Sequence, residues 1–258
     1  MMAWTKFPYA DPAYTYTAAS LKKAWARLHA GDCEPFPKDA ALVDAWIAFH
    51  AGEFEKAAKL GLEQGMAGYS VANKATAIYA NYLEKSEAKK LKMFQEVAER
   101  AEEQQAEEPK NAAGYYWQAY ALGRYAQGIS VAKALAQGIG GKVKNALETA
   151  IKLAPKHADA HIGLATYHAE VIDKIGAMIG GLTYGAKKDE GLKLYKKAIT
   201  LNPDSAIARI EYANGLVMLE GKKKMDEAVK LYEEAAAFEA ADAMERLDVQ
   251  MAIDELEE

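Results

Sequence analysis

The stretch that decides the fold is Tyr195-Lys196-Lys197-Ala198-Ile199-Thr200-Leu201-Asn202-Pro203-Asp204-Ser205-Ala206. Its first half is an amphipathic helical turn, its proline stops that helix, and Ser205 with Ala206 starts another. The same grammar occurs twice upstream, as Ala150-Ile151-Lys152-Leu153-Ala154-Pro155-Lys156-His157-Ala158 and as Pro109-Lys110-Asn111-Ala112. The three prolines stand 46 and 48 residues apart, so the chain repeats a unit of about two helices. Between them run long proline-free segments rich in Ala, Leu, Glu, Lys and Tyr, which is helix composition. The whole chain reads as all-α.

These residues carry a family resemblance. Ala198 with Tyr195 three residues before it, Pro203 five after, and Ala206 resembles the junction between two tetratricopeptide (TPR) repeats. Ala150 and Pro155 repeat the relation, Ala228, Tyr232 and Ala235 match its second-helix positions, and Gly52-Glu53-Phe54-Glu55-Lys56-Ala57 is similar to the family's G-x-Y-x-x-A. The resemblance covers residues 39–240 and implies a right-handed α-solenoid of antiparallel helix pairs. Small residues in such pairs let helices approach closely, while aromatics fill the gap to the next pair. A TPR unit has about 34 residues, so each longer unit here carries about 12 to 14 extra, expected where the first helix turns into the second.

The extra length has its own composition. Segments 127–142 and 170–187 are apolar and dotted with glycine, and each contains Ile-Gly-Gly, at Ile139 and at Ile179. They read as two extended inter-helix insertions whose apolar surface must be covered by each other, by a partner, by a ligand or by a membrane surface. Gly176 and Gly180 also give a spacing that suits helix self-association, hence a homo-oligomer.

Composition bounds the function. In 258 residues, 51% hydrophobic and 27% charged, no run of about 18 apolar residues occurs. The start, Met1-Met2-Ala3-Trp4-Thr5-Lys6-Phe7-Pro8, has neither the basic nor the apolar region of an export signal. A cytoplasmic location is expected, with a periplasmic one requiring a signal that has been removed. The 37 acidic against 32 basic residues, net −5, offer no excess to neutralise phosphates, so nucleic acid is not the expected partner. The single cysteine, Cys33, excludes an internal disulfide and fits a reducing compartment.

Three domains are expected. Residues 1–38 form an irregular arm and a helix from Ser20 to about His29, followed by Asp39 as the next cap; 39–240 hold the repeats; 241–258 form a capping helix with Leu247, Met251 and Leu256 inward.

Catalytic motifs are absent. Gly138-Ile139-Gly140-Gly141-Lys142-Val143 lacks the first glycine and the final hydroxyl of a phosphate loop, and Cys33 has no motif that would lower its pKa. His157, His161 and His168 fall within about 40° of one another on a helix. The first two have metal-pair spacing, but packing at a helix interface is the stronger expectation; neither a metal nor a cofactor is assigned. The second cluster is Tyr115 to Tyr125, in which Tyr116, Tyr120 and Arg124 form one stripe beside Trp117 and would suit an anionic or amphiphilic ligand. The alignment of this helix is open by one turn, because Pro109 and Leu122-Gly123 imply different registers.

The TPR resemblance implies binding by first-helix side chains on the concave face, a row that holds Asn81, Arg124, Thr166 and Asn214. It lacks the Lys, Asn and Arg set with which chaperone-type TPRs hold a peptide carboxylate. The expected function is therefore a non-enzymatic scaffold recognising a protein or peptide, with Asn81, Tyr116, Trp117, Tyr120, Arg124, Thr166, His168 and Asn214 as candidate contacts. A second resemblance, carried by Tyr116 to Gly123 and the later repeats, is to the T-component proteins of TRAP-type solute transporters, and it implies a carrier of a small hydrophobic or anionic ligand.

Overall fold

Pro109, Pro155 and Pro203 each sit in a turn whose next residue but one caps a helix. Asn111 Oδ1 accepts from Ala113 N–H at 3.0 Å, His157 Nδ1 from Ala160 N–H at 3.1 Å and Ser205 Oγ from Ala208 N–H at 3.1 Å. Each cap satisfies a backbone donor that the first helical turn leaves without an intrahelical acceptor. Repetition of this device sets the architecture in a computed structural model that describes residues 4–257.

The helices are α1 (Ala18–Leu28), α2 (Ala40–His50), α3 (Phe54–Glu63), α4 (Tyr69–Tyr82), α5 (Glu87–Glu107), α6 (Ala112–Gln127), α7 (Val131–Ala136), α8 (Ile139–Leu153), α9 (Ala158–Ile175), α10 (Ala177–Tyr184), α11 (Lys188–Leu201), α12 (Ala206–Glu220), α13 (Met225–Ala236) and α14 (Ala243–Glu257). No strand occurs among the described residues. The pairs are α2 with α3, α4 with α5, α9 with α11 and α12 with α13, while α6 and α8 hold, in chain order, the first-helix and second-helix places of the third repeat. The additional helices α7 and α10 lie between first and second helices, inside the glycine-dotted segments 127–142 and 170–187.

Two compact units divide the chain. Of the described residues, the first holds 4–29, 34–130 and 241–244, and the second holds 30–33, 131–240 and 245–257. In the first unit α4 packs on α3 and α5, and the first helices α2, α4 and α6 also touch in sequence. The amino-terminal arm is fastened to the same unit: Trp4 stacks on Tyr79 at 4.2 Å, and the Phe7 ring meets Phe54 edge-on. The cap of α1 is Thr17 rather than Ser20. Thr17 Oγ1 accepts from Ser20 N–H at 3.2 Å, and Ser20 Oγ accepts from Thr17 N–H at 2.9 Å, a reciprocal box that starts the helix three residues earlier.

In the second unit α9 packs on α8, α10, α11 and α12, and α12 packs on α13. Second helices bury a stripe at helical spacing: Val143, Leu147 and Ala150 in α8, Leu194, Tyr195 and Ala198 in α11, Ala228, Tyr232 and Ala235 in α13. The last helix closes this core with Val249 and Ala252 against Ile210, Ala213 and Tyr232. Leu247 is inward as expected and Met251 half-buried, but Leu256 is exposed, because the core ends about one turn before it.

Close approach rests on small residues. A Cβ on Gly215 would run into the Tyr195 ring, whereas one on Gly123 would meet nothing within 4 Å. Gly215→Ala is expected to destabilise by about 1–3 kcal/mol, from overpacking. Gly123→Ala should stabilise by ~0.5–1 kcal/mol, from helix propensity alone. Urea unfolding of the two variants beside the parent protein checks both signs.

Candidate functional site

The register of α6 follows from packing. Ala119 is buried, as Ala165 of α9 and Ala213 of α12 are, while Gly123 faces open space. The alignment set by Pro109 is therefore the one adopted. It makes Tyr120, not Arg124, the counterpart of Thr166 and Asn214, and places Arg124 one turn further on.

Within α6 the expected stripe forms. Tyr116 and Trp117 are buried and meet edge-on at 4.9 Å; Trp117 in turn meets Tyr120 at 5.5 Å. Tyr120 and Arg124 are half-buried, and the guanidinium lies 5.5 Å from the Tyr120 ring centre with Nη1 donating to Gln127 Oε1 at 3.1 Å. Two of the four residues thus hold the pair in place, and the other two form it. The cation is oriented by an aromatic face and a side-chain amide. Asn81, on α4 of the same unit, is half-buried.

In the second unit the row residues take part in internal hydrogen bonds. Thr166 Oγ1 donates to Glu211 Oε2 at 3.1 Å, which leaves it accepting from the Tyr195 hydroxyl at 2.9 Å. Burial, then the Glu211 carboxylate, hold the Tyr195 pKa well above its usual 10. One pair later the Tyr232 hydroxyl donates to Asn214 Oδ1 at 2.8 Å. Thr166 and Asn214 occupy equivalent places, and each binds the tyrosine of its own second helix. His168 is buried, and its Nδ1 accepts from Lys187 N–H at 3.2 Å, tying α9 to the start of α11.

His157 and His161 serve the start of α9. His157 is the cap already described, and His161 Nδ1 donates to the His157 carbonyl at 2.9 Å. Among the described residues no group of three or more His, Cys, Asp or Glu is placed to hold a metal. Cys33 is exposed, and its thiol pKa is pushed up by partial burial and by Asp32 and Asp159, the opposite of what a nucleophile needs.

A buried polar chain in the first unit has no counterpart in the sequence reading. His50 Nδ1 donates to Asp242 Oδ2 at 2.7 Å, and its Nε2 lies 3.3 Å from His29 Nε2. Trp25 stacks on His29 at 3.8 Å and Trp46 meets it edge-on at 4.8 Å. The partners are 21 and 192 residues apart, so no local pattern signals them. His157 did have a signal: it stands where Asn111 and Ser205 stand relative to their prolines.

In comparison with solved structures the chain is similar to TTC0263, a thermophilic TPR protein of Thermus thermophilus. The likeness has 17% identity and a TM-score of 0.57, and it covers 83% of this chain and 97% of that one. A looser likeness, at 16% identity and a TM-score of 0.42, extends over 76% of this chain and 87% of the MamA protein. No protein-family profile matches the chain, and no curated protein does. The fold is an all-α arrangement of helix pairs like that of TTC0263. Among the described residues no helix is long and apolar enough to cross a membrane.

The His168 pKa is lowered, by burial first and by Lys144 and Lys187, against Glu190, which raises it. A lowered folded-state pKa favours the neutral ring, so its contribution is complete above the ordinary value of 6.5 and is lost as pH falls below it. Stability measured by denaturant between pH 7.5 and 5 should fall less steeply in His168→Asn, which keeps an acceptor but does not titrate.

Proposed function

We propose that the protein is a non-enzymatic TPR-type binding protein that takes a protein or peptide segment on the first-helix faces of its helix pairs. The observation that carries this reading is the Tyr120–Arg124 pair on α6, half-buried on a first helix and oriented by Trp117 and Gln127. A guanidinium held in one geometry binds carboxylates in bidentate fashion with little further ordering. The aromatic ring beside it adds apolar contact. The segment that fits is one presenting a carboxylate next to an apolar or aromatic side chain. Asn81 supplies a neutral polar contact on α4, and Thr166 and Asn214 keep their pairs rigid through Tyr195 and Tyr232.

The same pair supports a second reading, in which the anion belongs to a small amphiphilic ligand and the protein acts as a carrier. The chemistry is shared; the size of the bound species separates the two.

An arrayed peptide library should give binders enriched in Asp, Glu or a free carboxyl terminus. Arg124→Gln should weaken them about tenfold or more, ~1.4 kcal/mol, with an unchanged thermal melt. Binders without acidic enrichment, or equal binding by the variant, would overturn the proposal. Native mass spectrometry showing an anionic small molecule that is lost on denaturation, and absent from Arg124→Gln, would decide for the carrier.

A further inference from the structure

Helix α10 is turned the wrong way round for a helix that serves only to pack. Its inner face is glycine: a Cβ on Gly180 would lie 3.1 Å from Val171 Cγ1 of α9, tighter than an ordinary side-chain contact. Its outer face carries Met178, Ile179 and Leu182, which are 78%, 57% and 86% exposed. An amphipathic surface helix normally shows the reverse. Gly176 and Gly185, both at positive φ, bound the helix and fold it back on α9, with Ala186 N–H donating to Gly180 O at 3.0 Å. The outward apolar face is therefore built in by backbone geometry. Helix α7 of the same unit has no buried residue and exposes Val131 and Leu135.

Lysines cluster in the segments that form and flank these helices. Segments 131–147 and 174–188 contain Lys133, Lys142, Lys144, Lys174, Lys187 and Lys188, with acidic residues only at their borders, Glu148, Asp173, Asp189 and Glu190. The start of α8 lies against the end of α10: a Cβ on Gly140 would lie 3.5 Å from the Tyr184 ring, and Lys144 Nζ sits beside Gly185. Three of the lysines are paired with carboxylates outside these segments, Lys144 with Glu148 at 3.7 Å, Lys174 with Glu170 at 3.4 Å and Lys188 with Glu220 at 2.8 Å. Lys142 and Lys187 are exposed and have no carboxylate partner among the described residues.

We propose that the outer face of α10, with its flanking lysines, docks on an anionic lipid surface, Met178, Ile179 and Leu182 entering the headgroup boundary and Lys142 and Lys187 lying among the lipid phosphates. Eight residues span about 12 Å of helix, far short of the ~30 Å hydrocarbon layer, so the helix lies in the interface and does not cross. Exposed apolar side chains with the exposed Lys142 and Lys187 in the flanking segments match that boundary in polarity and charge.

The test is flotation of the full chain with vesicles of phosphatidylcholine alone and of phosphatidylcholine containing phosphatidylglycerol. The parent protein should float with the anionic vesicles, and less so as salt is raised. The double variant Met178→Ser, Leu182→Ser should lose about tenfold or more of this binding, since each removes an apolar side chain that lipid would bury. Lys142→Gln with Lys187→Gln should abolish the preference for anionic over neutral vesicles. All four side chains are exposed, so circular dichroism should be unchanged. A parent protein that stays with the unbound fraction, or a serine variant that floats equally, would overturn the proposal. A parent protein that sediments as a dimer, fails to float and becomes monomeric in the serine variant would assign the face to a second copy of the chain instead.

Discussion

Two helices can pack along a shared face only as closely as the smallest residues between them allow, and that limit governs the second unit. Tyr195 on α11 reaches across to Thr166 of α9 because Gly215 of α12 leaves room for its ring. The tyrosine then stacks on Tyr212 at 5.4 Å, so one side chain joins three helices. Its hydroxyl could not be buried without a partner, at a cost of about 1–3 kcal/mol. Thr166 removes that cost and donates its own hydroxyl proton to a hydrogen bond with Glu211. The polar contact and the missing side chain are thus parts of one arrangement: without Gly215 the ring has no place, and without Thr166 the hydroxyl has no acceptor.

This arrangement bears on how recognition can work in the fold. A first-helix residue that is engaged by its own second helix is a rigid support. Thr166 and Asn214 are such residues, because the facing positions hold Tyr195 and Tyr232. In α8 the residue at the tyrosine's place in the repeat is Leu147, which has no polar group to satisfy. The place of Thr166 and Asn214 is taken in α6 by Tyr120, whose ring turns to the Arg124 guanidinium of its own helix. The two units therefore contribute unlike first-helix faces, one internally hydrogen-bonded around Glu211 and one aromatic and cationic.

The repeat, the caps after the prolines and the small-residue positions were legible in the residues themselves, because each is a local constraint: proline lacks a donor, a cap must follow within two residues, and alanine or glycine must face the neighbouring helix. The stripe Tyr116, Tyr120 and Arg124 was legible for the same reason, as helical spacing alone brings it together. The register of α6 was not, since Pro109 and Leu122-Gly123 support different alignments and only packing chooses between them. The chain Asp242, His50 and His29 was hidden altogether, because its members are brought together by long-range packing around Trp25 and Trp46.

The sequence by itself determined that the chain folds as helix pairs, where each pair ends, and that two apolar segments interrupt the regular pattern. Only the tertiary structure decided which side chains those pairs consume and which they leave at the surface. Periodicity records the face of a helix on which a residue lies, but not what lies opposite it. Segment 170–187 shows the difference: composition marks it as apolar, and the packing of the Gly180 face on α9 leaves Met178, Ile179 and Leu182 outward.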